Sequence, residues 1–311
     1  MRPSILLASD ASPDALGAAR LLADLPLPAE TRLGVLHVEM PLPAVAGLPR
    51  EFIDEIERAA AEAARACIER SLAVLGPRAA TTIRLSRRGP PSAVIIDAAE
   101  ELGSDLVVVG ARGENPMPTS LLGSVAQDVT RHAPCSVLIF RSTAVARDRR
   151  VVPARVLLAV DSSPHAAAAA RFLEWLPLPL ETEFHVVSIV QRYEPQGAAP
   201  AADSPLAGAL AAIRREGWAA ATHAAAEVHS WLCARGWRAD EPHVGEGYPA
   251  AEILRRAAEI AADLIVVGWR GTRPGQGVLL GTTARKVVRY AACSVLVVKE
   301  RPTGGPFHGG H

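Results

Sequence analysis

At 311 residues, with 49% hydrophobic residues and only 4% aromatics, the chain is long enough for two domains of about 150 residues with cores of Ala, Val, Leu and Ile. Its 33 basic and 33 acidic residues cancel, which removes the electrostatic case for nucleic acid or an anionic membrane as partner. No segment approaches the roughly 20 apolar residues of a membrane span, and "MRPSILLASD" is too short an apolar run for a signal peptide. A cytoplasmic location is therefore expected. Cys67, Cys135, Cys233 and Cys293 form no CxxC pair and have no ligand spacing with histidine, so buried reduced thiols are expected and no metal site is assigned.

In chain order, "SILLAS" (residues 4–9) is a short apolar strand that ends at Asp10, Ser12 and Pro13, where helix-start chemistry takes over. "TRLGVLHVEM" reads as a second strand, Glu51 to Leu75 as a helix, and "ATTIRLSR" as a third strand. Ile95, Ala98, Ala99 and Leu102 then fall on one helical face. "DLVVVG" and "SVLIF" supply two more strands around a helix from about Ser124 to His132. Five strands interleaved with helices argue for an open parallel sheet covered on both faces. His37 ends the second strand near the expected crevice, but its counterpart Ser188 shares none of its chemistry, so a hydrogen-bonding structural histidine is expected.

The pattern then repeats. "SDLVVVGARG" returns as "ADLIVVGWRG" and "APCSVLIFR" as "AACSVLVVK", with Gly110/Gly268, Gly113/Gly271, Gly123/Gly281 and Cys135/Cys293 all 158 positions apart. "ILLASDASP" matches "VLLAVDSSP" at a separation of 151, so the second copy holds about seven additional residues, most simply placed in "QRYEPQGAAPAADSPLAG". The expected boundaries are a first domain over 1–143, a polar connector over 144–153, a second domain over 154–301 and a Gly-rich tail over 302–311.

In such a sheet the ligand crevice lies beyond the carboxyl ends of the strands. Asp10 and Asp161 end the first strand of each copy, and Gly110 and Gly268 end the fourth. In the shared spacing G-x-x-G-x9-G-[S/T], the first two glycines let the chain turn off the strand, nine residues could arch over a ligand, and Gly123 with Ser124 opens a helix whose N-terminus favours an anion. A strand terminator followed by an ordinary helix start is the competing account. Recurrence of the glycines across diverged loops ("ENPMPTSLL", "TRPGQGVLL") favours the cradle.

With these motifs complete in both halves, the chain from Ser4 to Lys299 resembles the universal stress protein family, in its tandem two-domain form. The resemblance implies an α/β fold of two open five-stranded parallel sheets, order 3-2-1-4-5, of the adenine-nucleotide alpha-hydrolase-like type, each binding an adenine nucleotide: ATP, or ADP or AMP, with Mg²⁺. It places Ala8, Asp10 and Val38 on the adenosine side and Gly110, Arg112, Gly113, Gly123, Ser124 and Val125 around the phosphates. The second-copy equivalents are Ala159, Asp161, Ile189, Gly268, Arg270, Gly271, Gly281, Thr282 and Thr283, with Thr282 and Thr283 replacing Ser-Val and Trp269 adding bulk. It also implies pairing through last strands, "CSVLIF" against "CSVLVV" inside one chain, with a homodimer of whole chains beyond that. The expected function is a nucleotide-dependent stress-response switch with an unidentified protein partner. The alternatives are a slow ATPase or phosphoryl-transfer enzyme, and an interaction scaffold with vestigial sites. No catalytic residue is assigned: there is no Walker-type loop, and Glu114 in the first lid has Thr272 opposite it in the second.

Overall fold

The computed structural model describes residues 3–41, 49–113, 122–142, 151–192, 201, 203–271 and 280–299. The first half runs β1 (Ser4–Ala8), α1 (Pro13–Asp24), β2 (Arg32–Glu39), α2 (Arg50–Leu75), β3 (Ile83–Arg88), α3 (Pro91–Glu101), β4 (Leu106–Gly110), α4 (Ser124–His132) and β5 (Ser136–Phe140). The second runs β6 (Arg155–Val160), α5 (Pro164–Trp175), β7 (Glu183–Gln191), α6 (Pro205–Cys233), β8 (Arg238–Ala239), β9 (His243–Gly247), α7 (Pro249–Glu259), β10 (Leu264–Gly268), α8 (Thr282–Tyr290) and β11 (Ser294–Val298). No described helix is long and apolar enough to cross a membrane.

Every strand pair within a half is parallel, and the first half has the order β3-β2-β1-β4-β5. The second repeats it, its third-strand place shared by β8 and β9, which pair with β7 one after the other. Between them stands Pro242, which has no N–H to give a ladder. β1, β5 and β11 are buried along their whole length and β4 up to Gly110, as expected for unbroken aliphatic runs covered on both faces. Helix starts follow local chemistry. Ser12 accepts from the Ala15 N–H at 3.3 Å and Ser204 from the Ala207 N–H at 3.2 Å, each with proline at the first helical position.

The third strand starts at Ile83, later than the expected "ATTIRLSR". Gly76, at φ 58°, ends α2, and residues 76–81 wind into a 3-10 turn, with the Thr82 hydroxyl donating to the Arg78 carbonyl at 2.8 Å. The additional length of the second copy is divided between the connector after β7 and α6 itself, which has 29 residues where α2 has 26. Cys67, Cys135 and Cys293 are buried, whereas Cys233, on the outer side of α6, is exposed, because this helix covers the sheet with only one stripe. Burial pushes the Cys135 thiol up to about 12 and Cys293 to about 11.

The two halves form one 11-stranded sheet because β5 and β11 pair antiparallel, with Ile139 opposite Val295, Leu138 opposite Leu296 and Val137 opposite Val297. Each of the two core clusters, one per sheet face, runs through both halves. Val151 and Val152, at the end of the connector, pack against one of them. Polar contacts repeat across the seam by the same offset as the sequence. The Arg141 guanidinium donates to the Val288 carbonyl of α8 at 2.8 Å. The Lys299 ammonium donates to the carbonyls of Ala133 (2.6 Å) and Arg131 (3.4 Å) at the end of α4. Each half thus places a cation at the negative end of a helix in the other half. Ser136 accepts from the Lys299 N–H and Ser294 from the Arg141 N–H, both at 3.1 Å.

Candidate functional site

The residues singled out in the sequence lie at the carboxyl edge of each half-sheet. In the first half β1 ends at Ala8, and Asp10 turns the chain by accepting the Ser12 N–H at 3.0 Å. Ala11 between them is held at φ 58°, uncommon for a residue with a Cβ. The Ser12 hydroxyl, while capping α1, also donates to the Arg112 carbonyl at 3.2 Å, so the two loops are joined. Gly113 lies so close to Asp10 that a Cβ there would be 2.7 Å from Oδ2. Gly113 has no left-handed φ, so its lack of a side chain serves the packing against Asp10 and not the backbone freedom expected from the spacing. Gly123 donates its N–H to the Ala111 carbonyl at 2.7 Å, closing the base of the lid and setting Ser124 and Val125 at the start of α4. The lid residues 114–121 and 272–279, including Glu114 and Thr272, lie outside the described residues. Val38 lies on β2 and packs at the edge of the core. His37 Nδ1 is 2.9 Å from the Ser9 carbonyl, which gives it the structural role expected.

Asp14 was not singled out in the sequence, and it is central to this edge. Buried in the first turn of α1, it accepts from the Arg112 N–H at 3.1 Å and the Ser142 N–H at 2.9 Å, and its Oδ2 is 3.6 Å from Arg112 Nε. The Arg112 backbone is therefore committed inside the protein, and what it offers a ligand is its half-exposed guanidinium. Comparison of the two copies hides it, because the position matching Asp14 in the second copy is His165.

The second half keeps the frame and changes the contents. Asp161 accepts from the Ser163 N–H at 3.0 Å and from its hydroxyl, and a Cβ on Gly271 would again be 2.7 Å from the Asp161 Oδ2. Gly281 donates to the Trp269 carbonyl at 2.8 Å, as Gly123 does to Ala111. In place of the Asp14–Arg112 pair, Trp269 Nε1 donates to His165 Nδ1 at 3.3 Å, and the Arg270 guanidinium stacks 4.0 Å from the Trp269 ring centroid. A cleft of about 1110 Å³ opens here, and Ala159, Asp161, Ile189, Gly268, Arg270, Gly271, Gly281, Thr282 and Thr283 all line it. Its far wall is α6, through Ile213, Arg214, Gly217, Trp218 and Ala221. That wall was invisible to the comparison of the two copies, which aligns strands and glycines but leaves α2 and α6 unmatched. Four arginines (Arg192, Arg214, Arg215, Arg270) and two carboxylates (Asp161, Glu246) border the cleft, with Arg214 paired to Glu246 at 2.6 Å. Cationic surplus, a helix N-terminus and a glycine turn are features that favour an anion.

The profile of the universal stress protein family matches residues 1–141 and again 154–299. A universal stress protein of Mycobacterium tuberculosis (strain ATCC 25618 / H37Rv) is 29% identical over 239 residues, covering 70% of this chain and 72% of the relative. One from Thermus aquaticus is 33% identical over 141 residues, 45% of this chain and the whole of the relative. The crystal structure of a universal stress protein from Archaeoglobus fulgidus DSM 4304 superimposes with a TM-score of 0.59 at 23% identity, over 95% of this chain and 96% of that one, a likeness of fold.

Proposed function

Since the chain belongs to the universal stress protein family, we propose that each half binds an adenine nucleotide, ATP with Mg²⁺, and that the protein acts as a nucleotide-dependent switch and not as a catalyst. The observation that carries this reading is the second-half cleft, whose lining includes every residue assigned to that site from the sequence. The adenosine would lie between Ala159, Asp161 and Ile189, with Asp161 accepting from ribose hydroxyls. The phosphates would meet the Gly268–Gly271 turn, the Arg270 guanidinium, and the first N–H groups and hydroxyls of Thr282 and Thr283 at the head of α8. Mg²⁺ would neutralise phosphate charge beside these donors. Ala8, Asp10, Val38, Gly110, Arg112, Gly113, Gly123, Ser124 and Val125 would serve the first site in the same way.

Both glycines next to the aspartates support a site shaped for close approach, since a Cβ at either would enter the space of a carboxylate. Regulation in place of turnover follows from the donor set: arginines and N–H groups bind phosphate, and no described acidic side chain beside Gly110–Gly113 and Gly268–Gly271 is common to both halves except Asp10 and Asp161, whose Oδ1 atoms are engaged by Ser12 and Ser163. The test is to expose purified protein to millimolar ATP and Mg²⁺, remove free ligand, denature it, and identify and count what it releases. One to two adenine nucleotides per chain are expected. Release of none would overturn the reading.

A further inference from the structure

We propose a second, independent ligand site in the second half: a divalent transition-metal site formed by Glu183, His185 and Asp240 at the opposite end of β7 from the cleft. Each of the three presents a ligating atom within 4.8 Å of the other two. Glu183 and His185 are two residues apart on one strand and so share a face. Asp240 arrives beside them on the neighbouring chain: β7 pairs Glu183 with Arg238 and Phe184 with Ala239, and the Asp240 N–H donates to the Phe184 carbonyl at 3.1 Å. The cleft is lined on β7 by Val187 to Gln191, so the trio lies ahead of it on the strand, with His185 two residues, about 7 Å, before the nearest of these.

The second observation is the state of the imidazole. His185 is buried, at 7% exposure, and neither ring nitrogen has a hydrogen-bond partner. Its Nδ1 lies 3.1 Å from Asp240 Oδ2, an ion-pair distance, but off the line of a hydrogen bond. Leaving such a nitrogen unsatisfied costs about 1–3 kcal/mol. A cation between the ring and the carboxylates would use the nitrogen as a ligand. Ligands 2.0–2.1 Å from a tetrahedral ion stand about 3.3 Å apart, close to the His–Asp separation, so only Glu183 must close in. One imidazole and two carboxylates suit Zn²⁺, Fe²⁺, Mn²⁺ or Co²⁺, with Zn²⁺ the stronger binder of these. Three protein ligands leave a position for water, and Asp240, with its side chain 56% exposed, keeps the site open to solvent.

The trio belongs to the second half alone. The positions matching Glu183 and His185 are Arg32 and Gly34, with Ile83 beside Gly34, and none of the three can take their place. A bound ion would fasten β8, which pairs with β7 at two residues, to that strand.

The test uses the full chain, stripped with chelator and free of nucleotide, titrated with Co²⁺ as spectroscopic probe and then with Zn²⁺ as competitor. One ion per chain should bind with a tetrahedral Co²⁺ absorption band, and Zn²⁺ should raise Tm. Glu183→Gln and Asp240→Asn, both at accessible positions that keep side-chain volume, should each weaken binding by about tenfold or more, no less than the loss of a group that only supports a ligand. Unchanged affinity in both variants overturns the proposal, as does loss of the signal in a His308→Ala/His311→Ala variant. Absence of binding below millimolar metal overturns it as well.

Discussion

At the scale of single residues, Gly113 and Gly271 carry the most information. Spacing alone marks them as turn residues, but neither has a left-handed φ, and what the structure gives them is the task of making room for the carboxylates of Asp10 and Asp161. Gly271→Ala therefore forces Asp161 or the turn to move by a few tenths of an ångström or more. The displaced carboxylate would lose its hydrogen bond to the nucleotide, worth about 1.5–3 kcal/mol for a charged acceptor, so affinity at that site should fall roughly 10- to 150-fold. Calorimetric titration with ATP and Mg²⁺ checks this, with circular dichroism confirming the fold. Asp14 supplies the complementary case. It accepts two backbone N–H groups from two loops, and Asp14→Ala would leave both without their acceptor. The expected cost is about 1–3 kcal/mol, read from urea unfolding, and Asp14→Asn should recover part of it through its remaining carbonyl oxygen. Glycines and first-strand aspartates were legible because duplication repeats them, whereas Asp14 was not, because its counterpart has become His165 and its partners are close only in space.

Among the elements, strands were read most easily, since unbroken aliphatic runs of five or six residues admit few other structures in a chain of this composition. Boundaries set by hydrogen bonding were harder: β3 begins late because Thr82 holds a 3-10 turn closed. α6 as a cleft wall and the Glu183–His185–Asp240 cluster both depend on register between distant segments, and no spacing rule reaches across the 46 residues between β7 and β8. The cation swap at the seam is similar, for nothing in "FRST" or "VVKER" says that Arg141 and Lys299 reach the other half. Burial pushes the Lys299 ammonium down to about 8. With its folded pKa below the unfolded value, the unfolded chain binds more protons between about pH 8 and 10.5, so this group's contribution to stability rises with pH across that window. The stability of the protein minus that of Lys299→Met should therefore increase by about 2 kcal/mol from pH 8 to pH 10. Paired chemical denaturation at the two pH values measures it, and subtraction removes the other groups that titrate there. A flat difference would mean that the Ala133 and Arg131 carbonyls hold the ammonium charged.

At the scale of the whole molecule, the seam decides how the halves behave together. β5 and β11 are near copies, Ser136–Phe140 and Ser294–Val298, and they meet antiparallel so that each half offers the other the edge it would offer to itself. The pairing is thus that of a twofold dimer joined by a connector, with matched seryl and cationic contacts on either side of the axis. The connector changes the energetics more than the geometry, because it replaces a bimolecular association by an intramolecular one. A chain cut to residues 1–141 would expose β5, a fully buried apolar strand in the intact protein. An uncovered apolar edge recruits another strand, and the nearest match in chemistry and register is a second β5. The isolated half should therefore be a concentration-dependent dimer by light scattering. Leu138→Lys, which puts a charge directly opposite its own copy, should make it monomeric. In the intact chain the same substitution should leave the mass unchanged but lower Tm, because Leu138 faces Leu296 within a continuous core. A monomeric first half with Leu138 intact would mean that the connector, and not the strand pairing, holds the halves together.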